Sequence, residues 1–484
     1  MPTYHLVTFG CQMNEHDSQR IQELLEASGY EPRERPDDAD LVLLNTCSVR
    51  EKSEQKLRSE VGRLGMLKRL RPELVIAVAG CVAEQEGERL LKRLPQIDLI
   101  LGPDRIAELG HALNEIELGG PQRVLTGFDV EAPRFLSAAP GRRAPPVSFV
   151  TVMKGCNERC SFCIVPHTRG PERYRPAAEI VAEVEQLVEL GAIDVTLLGQ
   201  TVNSYRDPER TLQAEPVSEP WQNTNSRRTR EDESEFAALL RRIVQHVPGL
   251  RRLRYTSPHP RHLTRSLIRA HADLPELVRH VHLPVQSGSD RVLRRMLRRY
   301  SVAEYRERVE ALCQAVPGIT VSTDMIVGFP GESPEDFEQT LSLVRAVDFA
   351  GLYGFKYSPR PFTPALRLPD DVPEAEKAER LARLFELSQA QKNEHLQRRV
   401  GNDELVLVEG RDRRGGAWSG RTERNEIVHF EVEDRDPVGL LVSVRIEQAF
   451  ANSLFGRVLD AETLPRSADA PRRAERRSLT VVGA

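Results

Sequence analysis

Cys156, Cys160 and Cys163 are separated by three and then two residues in the run Cys-Asn-Glu-Arg-Cys-Ser-Phe-Cys, within a 484-residue chain that holds only 7 cysteines. Cysteine thiolates are the usual ligands of iron–sulfur clusters, and a cubane cluster has four irons. Three local thiolates therefore hold three corners and leave one iron without a protein ligand. An open coordination position is what separates a metal centre that does chemistry from one that only braces a fold. Zinc is the alternative reading. A structural zinc site wants a second nearby pair of Cys or His, and His167 is the only local candidate for a fourth ligand.

Cys11, Cys47 and Cys81 each follow a short apolar run: Leu6 to Phe9, Leu41 to Leu44, and Leu74 to Ala79. Polar, helix-compatible stretches come next, such as Asn14 to Ser28 and Val49 to Leu64. Apolar runs alternating with longer helical patterns predict a parallel sheet with crossover helices. Ligands collect at the carboxyl ends of such strands, so three cysteines placed there converge on one edge. Three buried free thiols are the alternative. Two groups of three imply two clusters, each with one uncapped iron. The seventh cysteine, Cys313, falls in the helical pattern Tyr305 to Ala315 and is expected in the core.

The elements that must position these residues fall into three regions. Residues 1–120 carry the first alternation of strands and helices, and 121–146, rich in Pro and Arg from Glu131 to Pro146, read as a linker. In 147–380, strand-like runs occur at Ser148 to Met153, Asp194 to Leu198, Leu253 to Thr256, His280 to Val285, Thr320 to Val327 and Gly351 to Tyr357. Helical patterns separate most of them, so the expected architecture is a partial TIM-type (βα)6 barrel with its site at the carboxyl ends of the strands. The Cys156–Cys163 loop follows the first of those strands. Residues 206–234 lack any apolar period and read as a flexible insertion.

After a helical segment, Glu374 to Gln397, short alternating strands at Glu404 to Val408, Glu426 to Glu431 and Leu441 to Ala449 predict a small all-β module over 398–462. A module of that size suits binding better than catalysis. Residues 463–484, with Arg472, Arg473, Arg476 and Arg477, read as a disordered basic tail. Net charge is -4, which gives nucleic acid no general support. Two local arginine groups could track phosphates: Arg291, Arg294, Arg295, Arg298 and Arg299, and then Arg411, Arg413, Arg414, Arg421 and Arg424. With mean hydropathy of -0.43 and no long apolar run, a membrane span is excluded. An odd cysteine count arranged as metal ligands, with no secretory signal ahead of it, points to a reducing cytoplasm.

The motifs resemble the radical S-adenosylmethionine (SAM) methylthiotransferase family over nearly the whole chain. The residues that carry the likeness are Thr8 to Asn14, Asn45 to Arg50, Gly80-Cys81, Gly155 to Gly170, Leu197 to Gln200, His282 to Ser289 and Ile326 to Glu332. Gln12-Met13-Asn14 is similar to the branch that acts on tRNA. The carboxyl module, with Gly420-Arg421-Thr422 and Asn425, resembles a TRAM domain, which binds RNA.

The resemblance implies a flavodoxin-like amino-terminal domain, a radical SAM barrel and a C-terminal TRAM barrel. It implies that Cys156, Cys160 and Cys163 hold a 4Fe-4S cluster that cleaves SAM to methionine and a 5′-deoxyadenosyl radical. Cys11, Cys47 and Cys81 then hold an auxiliary 4Fe-4S cluster bearing the sulfur to be inserted, and a second SAM supplies the methyl group. Phe162, Gly199, Gln200, Gln286, Ser287, Ile326 and Gly328 are the implied SAM contacts; Gly199 and Gly328 have turn geometry as an alternative role. The implied substrate is isopentenyladenosine in the anticodon stem-loop of tRNA, modified at carbon 2, and the implied electron donor is a flavodoxin-type reductase serving a monomer.

Three departures from the family pattern bear on substrate contacts: Thr201 in place of the common Asn, Phe362 in place of the common Gly, and the length of the insertion. Two other readings stay open. One keeps the chemistry and moves it to threonylcarbamoyladenosine in tRNA or to a ribosomal-protein aspartate. The other is an iron–sulfur RNA-binding protein without catalysis.

Overall fold

The computed structural model describes residues 1–484 apart from 50, 139–142, 213–233, 413–414, 434–435, 461–463, 465–479 and 482–484. Most of the expected insertion, Arg413, Arg414 and the four arginines of the expected tail lie outside the described residues.

Six of the seven described strands of the first sheet come from the amino-terminal region: β1 (Thr3–Phe9), β2 (Glu31–Pro32), β3 (Leu41–Thr46), β4 (Val75–Ala79), β5 (Leu99–Leu101) and β6 (Arg123–Leu125). They run parallel in the order β2-β1-β3-β4-β5-β6. Helices α1 (Gln12–Ala27), α2 (Glu51–Leu70), α3 (Cys81–Glu86), α4 (Glu88–Arg93) and α5 (Leu109–Glu117) cross over between them. β3 shows why its run is apolar without alternation: Val42 and Leu44 pack into one core, Leu41 and Leu43 into the core on the opposite face. β6 lies within 121–146, so the sheet extends into the stretch read as linker.

The second region begins with β7 (Val147–Thr151) and a short hairpin, β8 (Met153–Lys154) with β9 (Arg173–Tyr174), that brackets α6 (Val165–Thr168). Then follow α7 (Ala177–Glu189), β10 (Asp194–Leu198), α8 (Glu235–His246), β11 (Arg252–Tyr255), α9 (Arg265–Asp273), β12 (His280–His282), α10 (Asp290–Arg295), α11 (Val302–Ala315), β13 (Thr320–Val327), α12 (Pro334–Val347) and β14 (Gly351–Lys356). The six main strands pair in parallel as β11-β10-β7 and β12-β13-β14, and a bridge between Leu253 and Leu277 joins the halves. Among the described strands β7 and β14 each have one main neighbour, so the barrel is partial. Cys313 corrects an expectation: it lies on α11 but is exposed.

From α13 (Glu374–Gln397) the chain enters β15 (Asp403–Arg411), β16 (Trp418–Arg421), β17 (Ile427–Phe430), β18 (Leu441–Ala449) and β19 (Leu454–Val458), which close into a barrel in the order β15-β16-β17-β19-β18. Leu464 is buried in its core, and β20 (Thr480–Val481) pairs with Val7 and Thr8 of β1. At those points the tail read as disordered belongs to the fold. No described helix is long and apolar enough to cross a membrane.

Arginines that are buried or half-buried fix the small barrel to the large one. Arg252 donates to the carbonyls of Arg421 (2.9 Å) and Leu405 (2.6 Å), and Arg254 donates to those of Thr422 and Glu423, both at 3.1 Å. Arg424 returns the contact, donating from Nε to Gly318 O at 3.0 Å. Arg252 opens β11 and Gly318 precedes β13, so the small barrel docks at the amino ends of the strands. The cysteine loop lies at their other ends.

Candidate metal centres and the seam between them

The three cysteines of the first triad each sit where a strand stops, and Cys156, Cys160 and Cys163 lie in the loop between β8 and α6. Cys11 precedes α1, Cys47 directly follows β3, and Cys81 opens α3. Asn14 and Asn45 tie the first two strand ends together: Asn14 Nδ2 donates to Asn45 Oδ1 at 3.0 Å, and Asn45 Nδ2 donates to Asn14 O at 2.9 Å. Gly80 precedes Cys81 at φ +94°, where an added Cβ would lie 2.4 Å from Asn45 Oδ1. Gly155 does the same service before Cys156, at φ +76° with Pro171 O 1.9 Å from a built Cβ. Only glycine fits either position.

All seven cysteines are free thiols. In the first triad, a hydrogen bond from Cys47 draws the Cys11 thiol down to about 6 against its burial. That bond, burial and the neighbouring thiols push Cys47 well up, and burial pushes Cys81 up against the pull of Arg169. In the second triad, burial pushes Cys156 up to about 11 and, with the charge of Cys160, Cys163 up to about 12. Crowded thiols, four of which (Cys47, Cys81, Cys156 and Cys163) resist ionisation, fit a metal core, because a bound cation deprotonates a coordinating thiol outright.

Fixed donors point at the sulfurs. Arg169 Nε donates to Cys81 Sγ at 3.2 Å, and Arg298 Nη1 donates to Cys160 Sγ at 3.3 Å. The Val49 N–H reaches Cys47 Sγ at 3.3 Å, the Glu158 N–H reaches Cys156 Sγ at 3.4 Å, and Thr201 Oγ1 lies 2.9 Å from that sulfur. Hydrogen bonds to ligand sulfurs are one means by which a protein sets the potential of an iron–sulfur cluster.

The two triads come from different regions of the chain, and charged residues join them. Arg169, four residues before the end of the Gly155–Pro171–Arg173 turn, donates Nη2 to Asp17 Oδ2 of α1 at 2.6 Å as well as Nε to Cys81. Arg173 pairs with Asp104, Lys154 Nζ donates to the same carboxylate at 3.0 Å, and Arg360 donates to Val49 O at 2.8 Å.

Against known proteins, residues 3–102 match the Uncharacterized protein family UPF0004, 150–344 the Radical SAM superfamily, and 397–459 the TRAM domain. A tRNA-2-methylthio-N(6)-dimethylallyladenosine synthase of Sorangium cellulosum (strain So ce56) is 58% identical, with 100% of this chain and 99% of that one aligned. The chain belongs to the tRNA-2-methylthio-N(6)-dimethylallyladenosine synthase family. A second member, from Bordetella petrii (strain ATCC BAA-461 / DSM 12804 / CCUG 43448), is 43% identical over 95% of this chain and 92% of its own. In fold, the chain is similar to the radical S-adenosylmethionine methyltransferase TsrM from Kitasatospora setae, with TM-score 0.51 and 16% identity over 85% of this chain and 79% of that one.

Membership in the methylthio-dimethylallyladenosine synthase family implies SAM and a 4Fe-4S cluster, and the implied SAM contacts divide once their places are known. Gln200 has Oε1 and Nε2 both buried without a hydrogen-bond partner. Gly199 is held tight by Met153, whose Cγ would lie 2.6 Å from a Cβ there. Gln286 sits at φ +76° and bridges to Met325, at the carboxyl end of the strand pair β12–β13. Phe162 and Ile326 both pack against the buried cluster of Val292, Met296, Phe329, Tyr357 and Ala365. Two more have packing partners of their own. Ser287 is fully buried, its Oγ accepting from the Ser289 N–H at 3.2 Å and lying 3.5 Å from Thr340 Oγ1. Gly328 makes room for α13, since a Cβ there would lie 2.3 Å from Lys377 Cγ.

The arginines proposed for RNA also divide. Arg424, 10% exposed in its side chain, pairs with Glu404 at 3.2 Å and docks the small barrel. Arg421 pairs with Glu409 at 3.1 Å, and Arg411 lies 3.6 Å over the Trp418 ring. In the other group, Arg291 pairs with Asp336, Arg295 donates to Pro330 O, and Arg298 serves Cys160.

Sequence reasoning singled out Arg298 for phosphates without its contact to Cys160, and it missed Arg169, Asp17 and a cluster beside Cys156. There, His262 Nε2 lies 2.8 Å from Glu158 Oε1, and His259 Nε2 lies 3.9 Å from Glu158 Oε2. The trio has metal-ligand composition. However, His259 Nδ1 accepts the Arg261 N–H at 3.2 Å, so Nε2 carries the ring proton and has no lone pair to give. The trio braces the cysteine loop through Glu158. The one sequence signal for it was the pair His259 and His262 just after β11.

Proposed function

We propose that this protein sets a methylthio group on carbon 2 of dimethylallyladenosine beside the anticodon of tRNA. The observation that carries this reading is the first triad, Cys11, Cys47 and Cys81, brought against the radical SAM region through Arg169 in a chain 58% identical end to end to a protein named for that activity. A radical SAM enzyme that only abstracts hydrogen has no use for it.

Carbon 2 is an unactivated ring position with no proton an ordinary base could take. When bound, two 4Fe-4S clusters and SAM supply the one-electron and sulfur-transfer chemistry such a carbon needs. The side chains bind and orient. Cys156, Cys160 and Cys163 would hold one cluster, Cys11, Cys47 and Cys81 the other. The unpartnered amide of Gln200 suits the amino group of SAM, and Phe162 with Ile326 forms an apolar wall suited to its adenine. Arg169 and Arg298 hold positive charge on the two sets of sulfurs. A flavodoxin-type reductase would deliver electrons to a monomer.

Nucleoside analysis of tRNA from a deletion strain tests the reading. Loss of 2-methylthio-dimethylallyladenosine is the expected result. Unchanged tRNA with an altered ribosomal protein would reject the substrate, and failure of the reduced, reconstituted protein to form 5′-deoxyadenosine would reject the chemistry.

A further inference from the structure

Phe362 does nothing that a cysteine site requires. Its backbone lies at φ +67°, the left-handed region. Strain of this kind is costly in a bulky residue and clusters at functional sites. Glycine would take the same φ freely. Burial does not repay the strain, because Phe362 is 51% exposed.

The ring stands over the seam between the triads. His167, four residues past Cys163, meets it at 5.7 Å between centroids, and the Arg89 guanidinium of α4 lies 5.4 Å from its centre. Both of those residues are exposed as well. The loop is tied on two sides: the Ala365 N–H donates to Ser161 O at 2.8 Å, inside the cysteine loop, and Arg360 donates to Val49 O at 2.8 Å, two residues past Cys47. Three segments thus present one aromatic face, one imidazole and one guanidinium to solvent at the same place.

Unpaired bases are recognised by stacking on aromatic rings and on guanidinium planes. A single ring flanked by a guanidinium and an imidazole is too small and too polar for an apolar protein partner. We infer that Phe362, with Arg89 and His167, is a stacking platform for an unpaired base adjoining the target adenosine in the RNA loop. This rests on the tRNA reading above. It makes Phe362 a positioning residue, acting through the neighbouring base.

The test uses reconstituted holoenzyme and a synthetic anticodon stem-loop carrying dimethylallyladenosine, with 2-aminopurine in turn at each flanking loop position. Affinity is read by anisotropy and stacking by 2-aminopurine quenching. Phe362→Gly should weaken binding about tenfold and abolish the quench at one position. Its unfolding temperature should hold or rise, since the strain is relieved, and Phe362→Trp should restore both signals. If Phe362→Gly binds and quenches as the unaltered protein does, the platform is wrong. Product nucleoside from the unaltered protein is measured alongside. Its absence would sink the proposed function while the affinity ratio still judged the platform.

Discussion

Arg169 donates from Nε to Cys81 Sγ at 3.2 Å, a contact that crosses from the radical SAM region to the amino-terminal sheet. The same guanidinium holds Asp17, and all three residues are buried. Removing one partner of a buried ion pair leaves an uncompensated charge and costs about 3–5 kcal/mol. Arg169→Met should therefore lower the urea midpoint and the iron retained per chain. Adding Asp17→Asn should recover much of the stability, because no charge is then stranded, but not the iron. Full iron retention in Arg169→Met would remove the arginine from any role at the sulfur.

The two triads should fail in different ways. Cys160→Ala should abolish SAM cleavage, whereas Cys47→Ala should leave cleavage and stop methylthio transfer. Each variant should keep about four of the eight irons that two cubanes need. A Cys47→Ala enzyme that forms methylthiolated product at the normal rate would show that the auxiliary role is misassigned.

Much of this arrangement was legible because it is local. β1, β3 and β4 announce themselves as apolar runs, and the cysteines behind them fall on one sheet edge by parallel topology alone. β16 and β19 were missed: Trp418–Arg421 is too short to alternate clearly, and Leu454–Val458 is broken by Gly456 and Arg457. The sulfur donors were illegible for a different reason. Arg169 and Cys81 are 88 residues apart, Arg298 and Cys160 138 apart, and no local pattern distinguishes these arginines from their solvated neighbours. Ser287 and Gly328 show the limit of a strand-end argument, since that position suits a ligand contact and a packing contact equally. Phe362 showed only as an odd residue until its φ was known.

His271 gives a pH dependence of stability. It is buried on α9 with Nε2 2.7 Å from the Tyr255 hydroxyl, and burial holds its imidazole down at about 3, against an ordinary 6.5. The folded value lies below the unfolded one, so the unfolded chain takes up the proton first as pH falls. Above about 6.5 the residue contributes no slope, and below it stability drops by about 1.4 kcal/mol per pH unit until the folded value is approached. In denaturant titrations from pH 7.5 to 5, His271→Gln should remove one proton's worth of that slope. An unchanged slope would mean that the imidazole protonates in the folded protein.

Arg252 and Arg254 should govern whether the small barrel stays docked. Each guanidinium donates to two backbone carbonyls of that barrel, and an unsatisfied buried group costs about 1–3 kcal/mol. The small barrel has its own closed sheet and its own core, so losing the dock should not unfold it. The double variant Arg252→Ala, Arg254→Ala should keep native circular dichroism yet be cut faster by protease between Arg398 and Asn402, where α13 gives way to β15. It should also bind the stem-loop more weakly, because a binding module that swings must be ordered again on each encounter. If cleavage quickens while RNA affinity holds, the dock is structural and the small barrel binds RNA without being held in place.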